Sequence, residues 1–87
     1  MNQSILINDD MTWNGESQQV EFTALYSGAA IQCILTMEYL TNRGFNGEVQ
    51  SKFINEFCSL ISFDIEEDAQ QAIEEEQLDD NGRMILS

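Results

Sequence analysis

The sequence contains no histidine and no proline, and only three of its 87 residues are basic, against sixteen acidic ones. The missing histidine removes the commonest general base and metal ligand, which excludes Ser-His-Asp and Cys-His catalysis and most zinc sites. The formal net charge of −13 argues against direct binding of nucleic acid or of an anionic membrane surface, because those polyanions are bound through Lys and Arg. The same charge would attract a basic protein partner.

Long apolar runs are also missing. No segment approaches the roughly 20 apolar residues that span a bilayer, and the N-terminus shows no basic segment followed by the apolar core of a secretory signal. The two cysteines, Cys33 and Cys58, lack the Cys-x-x-Cys spacing of a redox pair, so we interpret both as reduced thiols in the core. We therefore expect a cytoplasmic protein.

Motifs for catalysis or cofactor binding are equally scarce. The five glycines are isolated in turn-like contexts and form no phosphate-binding loop. An enzyme built on paired carboxylates alone would need a cleft that a chain of this length rarely forms. Asp79-Asp80-Asn81-Gly82 resembles the middle of a calcium loop, but the required glutamate six residues later would fall beyond Ser87. We expect a turn there, no cofactor, no catalytic or metal-ligating residue, and no enzyme.

The most regular pattern in the chain begins at Gln19. Apolar side chains occupy every second position: Val20, Phe22, Ala24 and Tyr26. This is the period of a half-buried strand. Ser27-Gly28 predicts a tight hairpin turn, because glycine tolerates positive φ, and residues 31–35 alternate again as the returning strand.

Two helices are predicted after this hairpin. Thr36 is a suitable N-cap for a short helix over 37–42, with Gly44 just past its end. Further along, apolar residues keep one angular phase at 100° per residue: Ile54, Phe57, Cys58, Ile61, Ile65, Ala69 and Ala72. The unbroken phase favours one long helix from Glu48 to Glu76. A break into two helices stays open, because Asp64 and the glutamate three residues later are spaced as a capping box.

The ends of the chain supply the remaining strands. Ser4 to Asn8 alternates as a short strand, Asn14-Gly15 predicts a two-residue hairpin turn, and Arg83 to Leu86 predicts a last strand that joins the sheet. We therefore predict a single α+β domain over residues 1–87: a small antiparallel sheet of three to four strands, with one short and one long C-terminal helix packed on one face. The predicted core is Ile5, Ile7, Trp13, Val20, Phe22, Ala24, Ile31, Cys33, Leu35, Leu40, Phe53, Ile54, Phe57, Cys58, Ile61, Ile65, Ala69 and Ile73.

The outer face of the second half of the long helix is acidic. We select it as a partner-binding face consisting of Glu66, Glu67, Asp68, Glu74, Glu75 and Glu76. Carboxylates at a helix C-terminus oppose the helix dipole and repel one another, so we expect residues 74–80 to fray. The hypothesis is a non-catalytic interaction or regulatory module that binds a basic protein.

Two alternatives remain open. The apolar flank formed by Phe53, Leu60 and Phe63 lies off the main stripe, and clustered exposed apolar side chains often mark an interface. This flank, or a free sheet edge, would support a homodimer or larger homo-oligomer. The third hypothesis is a divalent-cation-responsive regulator or small enzyme that uses the acidic cluster.

Several residues spread over nearly the whole chain are similar to one small bacterial family. They are Asn2-Gln3-Ser4-Ile5, Trp13, Val20, Phe22, Ala24, Gly28, Cys33, Phe63-Asp64-Ile65-Glu66, Ala69 and Gly82. With these residues the chain resembles the uncharacterised family catalogued as domain of unknown function 1488. The resemblance implies one α+β domain of antiparallel strands packed on helices. It implies no activity and no catalytic residue.

Overall fold

The computed structural model describes residues 5–87, which fold into a sheet and helices that enclose one core. The strands are β1 (Leu6–Ile7), β2 (Thr12–Asn14), β3 (Gln19–Tyr26), β4 (Ala29–Thr36) and β5 (Met84–Leu86). The helices are α1 (Met37–Asn42), α2 (Ser51–Leu60) and α3 (Ser62–Glu74). The predicted α+β class is confirmed. Residues 1–4, including the first residue of the predicted N-terminal strand, lie outside the described residues.

Strands β3 and β4 form the central hairpin, and its turn is the predicted Ser27-Gly28 pair. Both turn residues have positive φ, 53° and 82°, which matches a two-residue turn between antiparallel strands of right-handed twist. Val20 pairs with Leu35 in the register of the two strands. The alternating apolar residues of both strands therefore share one face of the sheet.

The β2–β3 connection differs from the predicted two-residue turn at Asn14-Gly15. Four residues, 15–18, separate the two strands. The Asn14 side-chain oxygen accepts hydrogen bonds from the backbone N–H groups of Glu16 and Ser17, at 3.0 and 3.2 Å. Asn14 therefore acts through its side chain, which bonds to the backbone of the turn two and three residues on.

The sheet is larger and more varied than predicted. Within residues 5–87 it has five strands in the order β1-β3-β4-β5, and β2 also pairs with β3. Strand β5 runs parallel to β4, with Leu86 opposite Leu35. Parallel neighbours need a crossover connection, and here the three helices form it. The prediction of a wholly antiparallel sheet is corrected at this edge.

The single helix predicted over Glu48–Glu76 is wrong, because α2 and α3 are separate helices joined at Ile61. Ile61 departs from helical dihedrals (φ −104°, ψ 20°). Its N–H still bonds to the Phe57 carbonyl and its carbonyl still accepts from Ile65, so the apolar stripe keeps its phase. The bend lets α2 pack on β2 while α3 packs on β5. The alternative of two helices has the right number of helices, but its break at Asp64 is misplaced, because Asp64 lies inside the first turn of α3.

Helices α1 and α3 end in the same kind of hydrogen-bonded cap. The left-handed residue is Gly44 after α1 (φ 113°) and Glu76 after α3 (φ 56°). The N–H groups of Phe45 and Gln77 each bond to the carbonyl five residues earlier, both at 2.9 Å. This is the Schellman arrangement. It confirms the predicted helix end near Gly44. At the end of α3 the cap closes the helix with hydrogen bonds, and the fraying of residues 74–80 stays a prediction.

The core lies between the sheet and the helices. The predicted core residues that are buried are Ile5, Val20, Phe22, Ala24, Cys33, Leu35, Leu40, Ile54, Cys58, Ile65, Ala69 and Ile73, and those that are half-buried against them are Ile7, Trp13, Ile31, Phe57 and Ile61. Phe53 was wrongly placed in the core, because 36 % of it is exposed. The core also contains residues that the prediction lacked: Tyr39, Phe45, Ala72, Met84 and Leu86.

Candidate functional site

Five of the six residues selected as an acidic partner-binding face are exposed. They are Glu66, Glu67, Glu74, Glu75 and Glu76, and we call them the α3 glutamates. The first four lie on α3 or directly follow its last turn, and Glu76 is the left-handed residue of the helix end. Glu66 and Glu75 each also line a surface concavity.

The sixth residue, Asp68, has a structural contact. Its carboxylate accepts a hydrogen bond from the Tyr39 hydroxyl at 2.6 Å and forms an ion pair with Arg43. The Arg43 guanidinium also lies 5.2 Å from the centre of the Tyr39 ring. Burial, and then the hydrogen bond to Asp68, raises the pKa of the Tyr39 hydroxyl well above its usual value. These contacts fasten α1 to α3.

None of the α3 glutamates forms an ion pair within the described part of the chain, although Arg43 borders the same concavity as Glu75. Gln70 and Gln71 donate to Glu74 and Glu75 across one helical turn, at 3.2 and 3.1 Å. These amides are neutral and leave the charge in place. The two ion pairs found among residues 5–87 involve aspartates instead. Arg43 pairs with Asp68, and Arg83 pairs with Asp79 in the turn before β5.

A groove with apolar walls opens beside α2. We call it the Phe45 groove; it has a volume of about 370 Å³ and is lined by Gly44, Phe45, Asn46, Gly47, Glu48, Phe53, Glu56, Phe57 and Leu60. The rings of Phe45 and Phe57 meet edge to face, with centroids 5.4 Å apart and planes at 64°. Leu60 is 82 % exposed at its mouth. Two carboxylates, Glu48 and Glu56, belong to the lining.

The predicted apolar flank is partly reproduced by this groove. Phe53 and Leu60 line it, whereas Phe63 lies on α3, is 73 % exposed and is not part of the lining. Phe45 was missed because it stands in a loop, where no periodicity marks its side chain as inward-facing. The pair of glycines around it, at positions 44 and 47, was the available signal of a loop that bends tightly.

A second concavity, of about 450 Å³, lies between the β1–β2 connection and the junction of α2 and α3. It is lined by Ile7, Asn8, Asp9, Met11, Asn55, Cys58, Ser59, Ser62, Ile65 and Glu66. Burial raises the pKa of the Cys58 thiol to about 11. Burial, together with the charge of Asp10, raises that of Cys33 to about 12. Both cysteines are free and buried, as predicted, and neither forms a reactive thiolate at neutral pH.

The segment that resembles a calcium loop is a compact turn. Asp79 accepts hydrogen bonds from the backbone N–H groups of Asn81 and Arg83, at 2.9 and 2.8 Å, and pairs with the Arg83 side chain. The backbone bond from Arg83 is the largest of the causes that lower the pKa of Asp79. The predicted turn is confirmed. Among residues 5–87 no group of three or more His, Cys, Asp or Glu side chains is arranged to hold a metal ion.

None of the three helices in the described part of the chain combines the length and the hydropathy needed to cross a membrane.

Comparison with known proteins places the chain in a family. A family model described as "Protein of unknown function (DUF1488)" matches residues 5–86. The chain is 33 % identical over 86 residues to "Uncharacterized protein YrdB" of Escherichia coli K12, covering 99 % of both chains, and equally similar to the protein of that name from Shigella flexneri. A crystal structure of a protein of unknown function from the DUF1488 family of Shewanella loihica PV-4 is 30 % identical, with a TM-score of 0.89 over 99 % of this chain and 94 % of that one. The chain therefore belongs to the DUF1488 family.

Proposed function

We propose that the protein is a non-catalytic interaction or regulatory module that binds a basic protein through the α3 glutamates. The observation that carries the proposal is the exposure of the α3 glutamates, which lie near both ends of α3 and form no ion pair among residues 5–87, where the two arginines pair with Asp68 and Asp79. A surface of one sign attracts a partner of the opposite sign and accelerates its association. We place the encounter in the cytoplasm, in keeping with two buried cysteines that remain unpaired thiols.

Affinity capture from cell lysate at low and at high salt tests this proposal. The informative variant neutralises four carboxylates of the face: Glu66→Gln, Glu67→Gln, Glu74→Gln and Glu75→Gln. The matched control neutralises four exposed carboxylates elsewhere on the surface: Asp9→Asn, Glu16→Gln, Glu38→Gln and Asp80→Asn. Both variants lose the same total charge, so only the location of the lost charge differs.

We expect the wild-type protein and the control variant to capture the same basic proteins at low salt. High salt should release them, because exposed charges are screened within about 10 Å at 0.1 M ionic strength. The α3 variant should capture none of them. Captured proteins that are not basic, or that are retained equally by both variants, would contradict the proposal.

The exposure of Leu60 and Phe63, 82 % and 73 %, favours a second candidate function, a homo-oligomer that buries the apolar flank. Two copies would each carry a net charge of −13 into the contact, which opposes their association. Analytical ultracentrifugation at low and high salt tests it. A dimer that strengthens with salt and is abolished by Leu60→Ser would support this candidate, and a monomer at roughly 100 μM in both conditions would reject all but a very weak dimer.

A further inference from the structure

The Phe45 groove is preformed by contacts that belong to the fold. Gly44, at φ 113°, ends α1 and turns the chain so that the N–H of Phe45 bonds back to the Leu40 carbonyl. The Phe45 ring is then buried to 9 % exposure and held against the edge of Phe57. Because these contacts already fix the floor of the groove, binding a partner there requires little further loss of conformational entropy.

The side chains that form the walls of the groove, unlike the Phe45 ring, are exposed to solvent and are not packed in the core. Leu60 is 82 % exposed and Phe53 is 36 % exposed, so each leaves apolar surface in water that a bound side chain would cover. An aromatic or aliphatic anchor in such a pocket is the usual centre of a protein interface. The volume of about 370 Å³ exceeds that of a single large apolar side chain.

We propose that the Phe45 groove receives an apolar anchor from a basic amphipathic segment of the partner protein. This inference rests on the proposed function and identifies the surface that binds the partner's apolar side chain. The charge of the lining selects a basic segment, since Glu48 and Glu56 border the groove and none of the lining residues among positions 5–87 is basic. Lys52, whose Nζ lies 5.8 Å from the centre of the Phe53 ring, is outside the lining.

Charge also decides against a second copy of the chain as the occupant. A second copy would present its own Glu48 and Glu56 if it docked through the same face, and it carries the same net charge of −13. Like charges placed opposite one another disfavour that pairing. A segment with apolar residues on one side and lysine or arginine on the other would match both the apolar walls of the groove and its two carboxylates, Glu48 and Glu56.

A titration with a defined probe tests the inference. The probe is a fluorescently labelled synthetic peptide of leucine and lysine at amphipathic helical spacing, compared with a peptide in which glutamine replaces lysine. The protein variants are Leu60→Ser in the groove, Leu6→Ser as a control, and the four-glutamine α3 variant described above. Leu6 is 61 % exposed on strand β1, away from the groove, so its replacement is a matched loss of exposed apolar surface.

We expect the leucine–lysine peptide to bind wild-type protein, and Leu60→Ser to weaken binding about fivefold to tenfold, as for an interface anchor. Leu6→Ser should stay within about twofold of wild type. The glutamine peptide should bind much more weakly, because it lacks the charge that Glu48 and Glu56 attract.

The two proposals fail in different ways. If Leu60→Ser binds as well as wild type while the α3 variant loses binding, the groove inference is wrong and the acidic-face proposal stands. If Leu60→Ser loses binding while the α3 variant retains it, the groove is right and the α3 glutamates are not the contact. Absence of binding to the wild-type protein, equal binding of the glutamine peptide, or protein self-association at the groove would each overturn the groove inference.

Discussion

Helices α2 and α3 are alike on the side that packs on the sheet, which is apolar in both, and differ on the side that faces solvent. Each buries residues of a single apolar stripe against the sheet, with Ile54 0 % and Ile65 1 % exposed. On the outer side, α2 presents Phe53 and Leu60 around an apolar groove, whereas α3 presents exposed glutamates together with Phe63. The inner stripe keeps its phase across the bend at Ile61, although α2 packs on β2 and α3 on β5. The outer difference therefore lies in which residues occupy the exposed positions of the two helices.

This comparison separates residues that stabilise the fold from residues available for binding. An exposed side chain adds little to folding free energy, and replacing it usually changes stability by less than about 0.5 kcal/mol. The fold therefore does not require leucine at position 60 or glutamates along α3. We propose that these outer residues bind the partner, with the groove beside α2 receiving an apolar side chain and the α3 glutamates attracting positive charge.

The largest expected effect contrasts the inner and outer faces directly. Ile54→Ala and Ile65→Ala should each lower the free energy of unfolding by about 3 kcal/mol, because each leaves a cavity in the core. Leu60→Ala and Phe63→Ala should change it by less than about 0.5 kcal/mol. Urea denaturation followed by circular dichroism measures all four variants. A loss of several kcal/mol in Leu60→Ala would mean that its side chain is packed and not exposed.

A smaller effect is expected where α3 is fastened to α1. Tyr39→Phe and Asp68→Asn should each destabilise the fold by about 1 kcal/mol. Tyr39→Phe removes a partly buried hydrogen bond, and Asp68→Asn removes the charge that strengthens this bond and pairs with Arg43. Glu67→Gln, one residue away and exposed, is the control and should leave stability unchanged. An equal response of Asp68→Asn and Glu67→Gln would place Asp68 with the α3 glutamates rather than with the fold.

The two helix ends allow a test of backbone strain. Glu76 occupies a left-handed conformation that glycine occupies after α1, and a residue with Cβ is disfavoured there. Glu76→Gly should therefore stabilise the protein by up to about 1 kcal/mol, and Gly44→Ala should destabilise it by a similar amount. Thermal unfolding of the two variants measures both changes. If Glu76→Gly lowers the melting temperature, contacts of its side chain outweigh the strain.

The smallest effects concern pH and salt. Hydrogen bonds from Thr23 lower the pKa of Asp10, and those from Arg83 lower that of Asp79. A carboxylate whose pKa is lower in the folded state stabilises the fold above its unfolded pKa, near 3.8, and this stabilisation is lost as the pH falls through the folded pKa. It is therefore intact at pH 5, where the net negative charge of the whole protein is smaller than at pH 7 and repels itself less.

The melting temperature should consequently rise slightly as the pH is lowered from 7 to 5, and should then decrease at pH values below about 4. Moderate salt at neutral pH should also raise the melting temperature slightly. Circular dichroism melts across this range, with Asp10→Asn as the comparison, measure the profile. Asp10→Asn should flatten the fall at low pH. A steady decrease of the melting temperature from pH 7 to pH 5 would show that favourable carboxylate contacts outweigh the repulsion.

The parts of the fold that sequence reasoning predicted are those carried by local periodicity. The alternation from Val20 to Tyr26, the Ser27-Gly28 turn and the apolar helical stripe each depend on neighbours within a few residues, and each is confirmed. Two features were missed because they depend on distant contacts. The parallel direction of β5 follows from the crossover, and the bend at Ile61 follows from packing α2 and α3 on different strands.

The same distinction applies to the candidate site. Leu60 and the glutamates could be placed on outer faces from helical spacing alone, whereas the same spacing assigned Phe53 both to the core and to the apolar flank. The floor of the groove could not be predicted, because Phe45 reaches Phe57 from a loop twelve positions earlier. The structural role of Asp68 could not be predicted for the same reason, since its partners Tyr39 and Arg43 lie on α1 and directly after it.

The most direct test of this account is a map of backbone amide chemical shifts in the ¹⁵N-labelled protein during titration with the leucine–lysine peptide. We predict that the largest changes fall on residues 44–48 and 53–60, with a smaller, salt-sensitive response along the α3 glutamates. Changes confined to the exposed face of the sheet, or spread evenly over all exposed residues, would contradict the assignment of this outer helical surface as the binding site.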